Sequence, residues 1–293
     1  MTSDRGRRVE FGLLGSLYVR GGVDGAPNAR KLRTLLAMLL THAGKPMPVE
    51  VLMRELWSTR VPSSGTTTLQ TYILSLRKFF AVAVDLPAAE IAQQVLITRP
   101  GGYLLKADVV DLDIVKYDEL VACGSAALAT SDDEQGIKYL SAALDLWRGT
   151  PFEDIPVGPV LESKRREYME SRLVVTEYHL DAKLRLGMLL EVMSDLASLT
   201  VEHPLHEGMH ARYMHALHLC GRRAQALQEY NRLRYRLVGE LGLEPGAQVR
   251  RVHHAVLNAD TSTDPGTHIR QSAGRTGLSQ PLIARCRPST PSR

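Results

Sequence analysis

The sequence predicts a mainly α protein with small β elements: a three-helix head edged by short strands, followed by an all-helical body. Three observations carry this. Apolar residues recur at helical spacing from about residue 30 to 257, strand-like patterns fall within residues 1–110, and the sign of the charge differs between the two parts.

The head reads element by element. Residues 9–20 (VEFGLLGSLYVR) form short strands around Gly12 and Gly15, closed by the turn GGVDG. Residues 30–43 form a helix whose face is Leu32, Leu35, Leu36, Leu39 and Leu40, with Gly44 placed as a C-cap glycine. A second helix takes Pro48 in its first turn and carries Val51, Leu52, Leu56 and Trp57. The stretch from Ser58 to Ser64, with Pro62, is a loop. A third helix runs from about Thr66 to Phe80, with Ser63 or Ser64 as N-cap and a stripe of Leu69, Tyr72, Ile73, Leu76 and Phe80. Residues 94–107 (QVLITRPGGYLLKA) alternate around Pro100-Gly101-Gly102 as a β-hairpin. Strands, three helices and a hairpin, in that order, make a winged helix-turn-helix.

No strand pattern is expected from Asp111 to Leu257. Helices are expected at about 112–129, 133–147, 158–187, 189–202, 205–220, 223–240 and 246–257, broken at prolines and glycines. Leu173, Leu180 and Leu184 mark a buried face. The run AQALQEY (224–230) suggests tetratricopeptide-like helix pairs without a regular 34-residue period. The last stretch, 258–293, is rich in Pro, Gly, Ser and Thr and poor in large apolar residues, so it is expected to be disordered. The expected division is therefore 1–110, 111–257 and 258–293.

Composition narrows the function. Residues 1–110 carry 14 Lys+Arg against 8 Asp+Glu, while 111–257 carry 17 against 22. A basic head on an acidic body fits a polyanion-binding module joined to a part that avoids nucleic acid. The longest apolar runs, LLAMLL (35–40) and FFAVAV (79–84), are too short to span a membrane. Arg7-Arg8 is not followed by the apolar core of a signal peptide. Three widely spaced cysteines (Cys123, Cys220, Cys286) give neither a disulfide framework nor a zinc ribbon, which suits the cytoplasm. No phosphate-binding glycine loop is present, and no cofactor, metal or catalytic residue is expected.

The third helix carries the sharpest functional signal. With Leu69, Ile73 and Leu76 buried, its outward face presents Thr67, Gln70, Thr71, Leu74, Arg77 and Lys78. Thr and Gln can bond base edges, and a leucine or threonine methyl can touch a thymine methyl. Arg77 and Lys78 stand near the expected helix end and suit phosphates. Arg99 beside Pro-Gly-Gly sets one cation at a narrow hairpin tip, which suits a minor groove. Tyr103 reads as a core residue or a phosphate donor.

Other motifs carry less. His206-Glu207-Gly208-Met209-His210 fits the zinc-protease pattern H-E-x-x-H, but it specifies three positions within a histidine-rich run. Asp132, Asp133 and Glu134 open a helix and complement its positive N-terminus.

The motifs LRTLLAMLL (32–40), ELW (55–57), TLQTYILSLRKFF (68–80), RPGGYLL (99–105), DLD (111–113) and DLWRGTPFEDI (145–155) occur in this order. They are followed by HP (203–204), MHALHLCGRRAQALQEYNRLRYRL (214–237) and GELGLEPG (239–246). Together they resemble the Streptomyces antibiotic regulatory proteins, over about residues 9–257. The resemblance implies an OmpR-type winged helix and a bacterial transcriptional activation domain. It implies an activator, not an enzyme, of secondary-metabolite pathways. It further implies double-stranded promoter DNA bound at direct repeats, contact with RNA polymerase and its sigma factor, and leaves a homodimer open. Carried onto this chain, DNA contact falls to Thr67, Thr68, Gln70, Thr71, Arg77, Lys78 and Arg99. The loop of Ser58, Thr59, Arg60, Val61, Pro62, Ser63, Ser64 and Gly65 takes the place of a polymerase-contacting loop. Two departures stand out: 81–93 is mostly small and apolar where relatives are more basic, and His206 replaces a common arginine. The rival readings are an effector-responsive repressor or sensor with the same head, and a zinc hydrolase on His206 and His210.

Overall fold

A computed structural model describes residues 8–258 apart from Asp24 and Thr59, and the expected tail from residue 259 onward lies outside the described residues. The chain runs β1 (Val9–Gly12), β2 (Tyr18–Arg20), α1 (Arg30–Thr41), β3 (Met47–Pro48), α2 (Val49–Trp57), α3 (Gly65–Ala83), α4 (Ala88–Gln94), β4 (Leu96–Arg99), β5 (Gly102–Leu105) and β6 (Val110–Leu112). Helices follow: α5 (Asp113–Ala129), α6 (Asp133–Leu144), α7 (Pro159–Arg185), α8 (Leu189–Glu202), α9 (Glu207–Leu219), α10 (Arg223–Leu241) and α11 (Ala247–Asn258). The described chain forms two compact units, one reaching Ala122 and including Ser141–Val174, the other holding Cys123–Leu140 and the residues from Val175. The sequence-based division at residue 110 thus falls inside the first unit.

The first unit holds two small sheets. In one, β1 pairs antiparallel with β2 and parallel with β6, in register Val9↔Val110 and Phe11↔Leu112. This strand corrects the expectation that none begins or continues past Asp111: three residues are too few to show an alternating pattern. The other sheet has the order β3-β5-β4 and is the wing. Its turn places Pro100 before Gly101 at φ 73, the residue pattern of a type II turn, where a side chain at the second position would be strained. Gly102 allows β3 and β5 to touch, since a Cβ there would sit 2.3 Å from the Met47 carbonyl oxygen. Pro48 ends β3 and caps α2 rather than lying in its first turn.

The core of this unit is Leu35, Leu36, Leu39 and Leu40 of α1 packed with Leu69, Ile73, Leu76 and Phe80 of α3 and with Phe11 of β1, all buried, whereas Leu32 at the start of the α1 face is half-buried. Phe80 lies edge-on to Phe79, with centroids 5.5 Å apart, and Phe11 tilts against both. Burying such residues removes apolar surface worth roughly 1.5–3 kcal/mol per side chain before entropy is counted.

The second unit is helical among its described residues. α9 lies against α8, α10 and α11, with Met209, Ala211, Met214 and Leu217 buried along it. Of the leucines expected on one buried face of α7, Leu180 is buried and Leu184 half-buried in this unit, while Leu173, which belongs to the first unit, is half-buried. At its centre Arg212 has no exposure: its guanidinium donates two hydrogen bonds to Asp181 (2.7 and 2.8 Å) and one to Glu177 (2.8 Å).

Candidate nucleic-acid interface

Two buried carboxylates hold the frame on which the interface is built. Glu55 of α2 is 3% exposed, and its oxygens accept from the amides of Gly158 (2.7 Å), Val160 (2.7 Å) and Leu161 (3.2 Å). It therefore caps the start of α7, answering amides that the helix itself leaves without partners and complementing its positive end. Asp113, at the start of α5, accepts from the amides of Leu13 (2.8 Å) and Leu14 (2.9 Å) and from Arg148 Nη2 (2.8 Å). Arg148 also donates to the Ser16 carbonyl. Arg33 of α1 binds Asp154, and Thr34 donates to the Pro156 carbonyl. The fragments ELW, DLD and DLWRGTPFEDI supply Glu55, Asp113, Arg148 and Asp154, so these motifs act as fasteners. None of these residues stands among the sequence-derived site residues. The available signal was a carboxylate on an apolar stripe: Glu55 lies between Leu52 and Leu56, both buried.

On that frame α3 turns one face outward. Its exposed positions include Thr67, Gln70, Thr71, Leu74 and Lys78, while Thr68 and Arg77 are half-buried. Thr67, Thr71, Leu74 and Lys78 recur at i, i+4, i+7 and i+11 and form one strip. Several hydroxyls along the helix turn back on it: Thr68 donates to the Ser64 carbonyl (3.0 Å), Thr71 to Thr67 (3.0 Å) and Ser75 to Thr71 (3.0 Å). Ser64 stands at the N-cap but makes no side-chain capping bond.

Arg77 departs from its expected surroundings. The helix continues to Ala83, so Arg77 lies well before its end. Its guanidinium reaches sideways to the wing, where Nε and Nη2 donate to the Leu96 carbonyl (3.1 and 3.0 Å) and Nη2 donates to Thr98 Oγ1 (2.8 Å). The arginine braces α3 against β4.

The wing presents Arg99 exposed at its tip, paired across the turn with Gly102. The Gly101 carbonyl accepts from the Val49 amide (2.9 Å), tying the tip to the start of α2. Tyr103 is 8% exposed and belongs to the core. The loop between α2 and α3 exposes Ser58, Arg60, Val61, Pro62, Ser63 and Ser64, whereas Gly65 is buried and opens α3. Thr59 lies outside the described residues. Ser58 takes a positive φ of 51°, an uncommon conformation for a residue with a side chain, which turns the chain sharply after Trp57.

The histidine pattern does not gather into one site. His206 caps α9, its Nδ1 accepting from the Met209 amide (3.3 Å), while His210 is fully buried, with Nδ1 2.7 Å from Glu229 Oε1 and Nε2 3.1 Å from the Pro204 carbonyl. Among the described residues no group of three or more His, Cys, Asp or Glu could hold a metal ion. Burial pushes the Glu229 carboxyl up, but the His210 hydrogen bond and charge, with Arg232 and Arg236, outweigh it and hold the group below its ordinary value. Asp132 accepts from the Gln135 amide and caps α6, as its position suggested. No described helix is long and apolar enough to cross a membrane.

Comparison with known proteins agrees with this architecture. Residues 27–105 match the model of the C-terminal domain of transcriptional regulatory proteins, and residues 112–257 match the bacterial transcriptional activator domain. Regulatory protein DnrI of Streptomyces peucetius is 38% identical over 257 residues, 87% of this chain and 94% of DnrI. Transcriptional regulator RedD of Streptomyces coelicolor is 32% identical over 253 residues, 86% of this chain and 71% of RedD. A solved structure of Mycobacterium tuberculosis EmbR, in complex with a low-affinity phosphopeptide, superposes with a TM-score of 0.82 at 28% identity, covering 92% of this chain and 70% of EmbR. A winged helix followed by an activator domain, in a chain that aligns with nearly all of DnrI, makes this protein a DNA-binding transcriptional activator of the Streptomyces antibiotic regulatory protein family.

Proposed function

We propose that the chain activates secondary-metabolite, antibiotic-type pathways by placing α3 in the major groove of promoter DNA and the wing tip in the adjacent minor groove. The observation that supports this is the exposed strip on α3 beside the exposed Arg99, the two braced by Arg77. In this reading Thr67, Gln70 and Thr71 face base edges, Lys78 and Thr68 face phosphates, and Arg99 enters the minor groove. Arg77 acts chiefly through position, holding the helix-to-wing spacing, with one remaining guanidinium nitrogen to offer a phosphate.

Residues 1–110 supply the DNA contact and residues 111–257 the activating surface. Two heads lie head to tail on direct repeats spaced about one helical turn apart, so that both reach one face of the duplex. A pair of chains on DNA, or a homodimer, follows from that arrangement. The loop from Ser58 to Gly65, which exposes Val61, is offered to RNA polymerase and its sigma factor. The working compartment is the cytoplasm, at the nucleoid.

The test compares two variants on a site selected from random duplex DNA. Gln70→Ala is expected to relax preference at particular bases by roughly 1–3 kcal/mol. Lys78→Ala is expected to weaken all sequences alike and to lower the salt slope of log K by about one. Equal, sequence-independent losses for both would overturn this facing of the helix. A selected site with inverted symmetry would overturn the tandem arrangement.

A further inference from the structure

We infer that Leu74, with the Thr71 methyl beside it, is a specificity-determining residue that reads the C5-methyl group of thymine in the major groove, within about two base steps of the base read by Gln70. This rests on the proposal that α3 is the helix in that groove.

Three observations carry it. Leu74 is 54% exposed in the middle of the strip formed by Thr67, Thr71, Leu74 and Lys78, the one large apolar side chain on that strip. The Thr71 hydroxyl donates to the Thr67 carbonyl, so its proton is spent within the helix and its methyl contributes to what the strip presents. Arg77, the guanidinium nearest along the helix, is held by the Leu96 carbonyl and Thr98. The centre of the strip is therefore apolar and has no arginine free to bond the O6 and N7 acceptors of guanine. In the major groove the group that complements an apolar patch is the thymine methyl.

Register follows from helix geometry. Gln70 and Leu74 are separated by about 6 Å along the axis, at roughly 1.5 Å per residue. Base pairs stack at about 3.4 Å, so the two side chains fall about two steps apart. Gln70 is suited to bond adenine through N6 and N7.

The experiment uses the full chain and the duplex site it selects from a random library. Each thymine of that site is replaced in turn by uracil, which removes the methyl and leaves the pairing edge unchanged. Binding is measured for the wild type and for Leu74→Ala, with circular dichroism to show that the variant is folded. For the wild type, one or two thymines are expected to lose about fourfold in affinity on replacement, the worth of one buried methyl. In Leu74→Ala the same replacement is expected to change affinity less than twofold, and selection with the variant should relax at that position. Equal sensitivity to uracil in both proteins overturns the inference, as does a selected site in which no thymine methyl matters; in either case α3 as the reading helix survives. A chain that enriches no site overturns that reading and this inference together.

Discussion

The two compact units bury charge in different ways. The first buries carboxylates chiefly against backbone: Glu55 answers three amides at the start of α7, and Asp113 answers those of Leu13 and Leu14 alongside the Arg148 guanidinium. The second buries side chain against side chain: Arg212 against Asp181 and Glu177, and His210 against Glu229. An amide is supplied by almost any residue, so one specified carboxylate fixes the path of a distant segment. A side-chain pair needs both members specified, and losing either leaves the other buried without its partner. Fastening by backbone suits a frame whose surface must change little, whereas pairing of side chains suits helix stacking.

The largest effect expected from this difference comes from cutting the chain after residue 110. The cut removes β6 beyond its first residue, together with Asp113 and all three amides that satisfy Glu55. Residues 1–110 are expected to melt about 25 °C or more below the full chain in calorimetry, since each kcal/mol lost moves the midpoint of a small domain by about 4–8 °C. A fragment that melts within a few degrees of the full chain would show that the fasteners are dispensable.

Next in size is Arg212→Ala, which strands two carboxylates and is expected to cost about 3–5 kcal/mol in urea unfolding. Adding Asp181→Ala should restore part of the loss, because the two side chains are coupled. Glu55→Ala is expected to cost about 3 kcal/mol by leaving amides without partners. No second side-chain deletion should restore it, since its partners are backbone. A second-site deletion that rescues Glu55→Ala, or none that rescues Arg212→Ala, would erase the contrast between the units.

The smallest effect is on pH dependence. Glu229 is held below its ordinary value, so its pairing adds stability above the unfolded carboxyl pKa, about 4.3, and that stability is lost as pH falls through the folded value. Glu229→Gln should lower stability at pH 7 and flatten its decline below about pH 4. An unchanged acid slope in the variant would mean that other carboxylates govern that decline.

Much of the fold is legible in the sequence because long helices repeat their signal: α7, α8 and α10 start and end within a few residues of expectation. The short elements are not. β3 and β6 have two and three residues, too few to establish a period, and α4 is made of alanines, glutamines and one glutamate around Ile91. The outward face of α3 follows from its stripe, and the structure exposes Thr67, Gln70, Thr71, Leu74 and Lys78 as that stripe implies. Arg77 was not legible, because its partners Leu96 and Thr98 lie 19 and 21 residues away, on a strand whose placement depends on the wing. Glu55 escaped for the same reason at greater range: its amides follow it by more than a hundred residues.

The strip on α3 stands apart from everything that holds the head together. Thr71 bonds back to its own helix, Leu74 is exposed, and the fasteners lie on other elements. Substitutions on this strip should then change stability by less than about 0.5 kcal/mol. Such a surface is a replaceable address on a separately fastened chassis. After gene duplication, a few changes there can redirect one copy to another set of promoters while its folding stays intact, so regulators of this build can diverge in target faster than they diverge in fold.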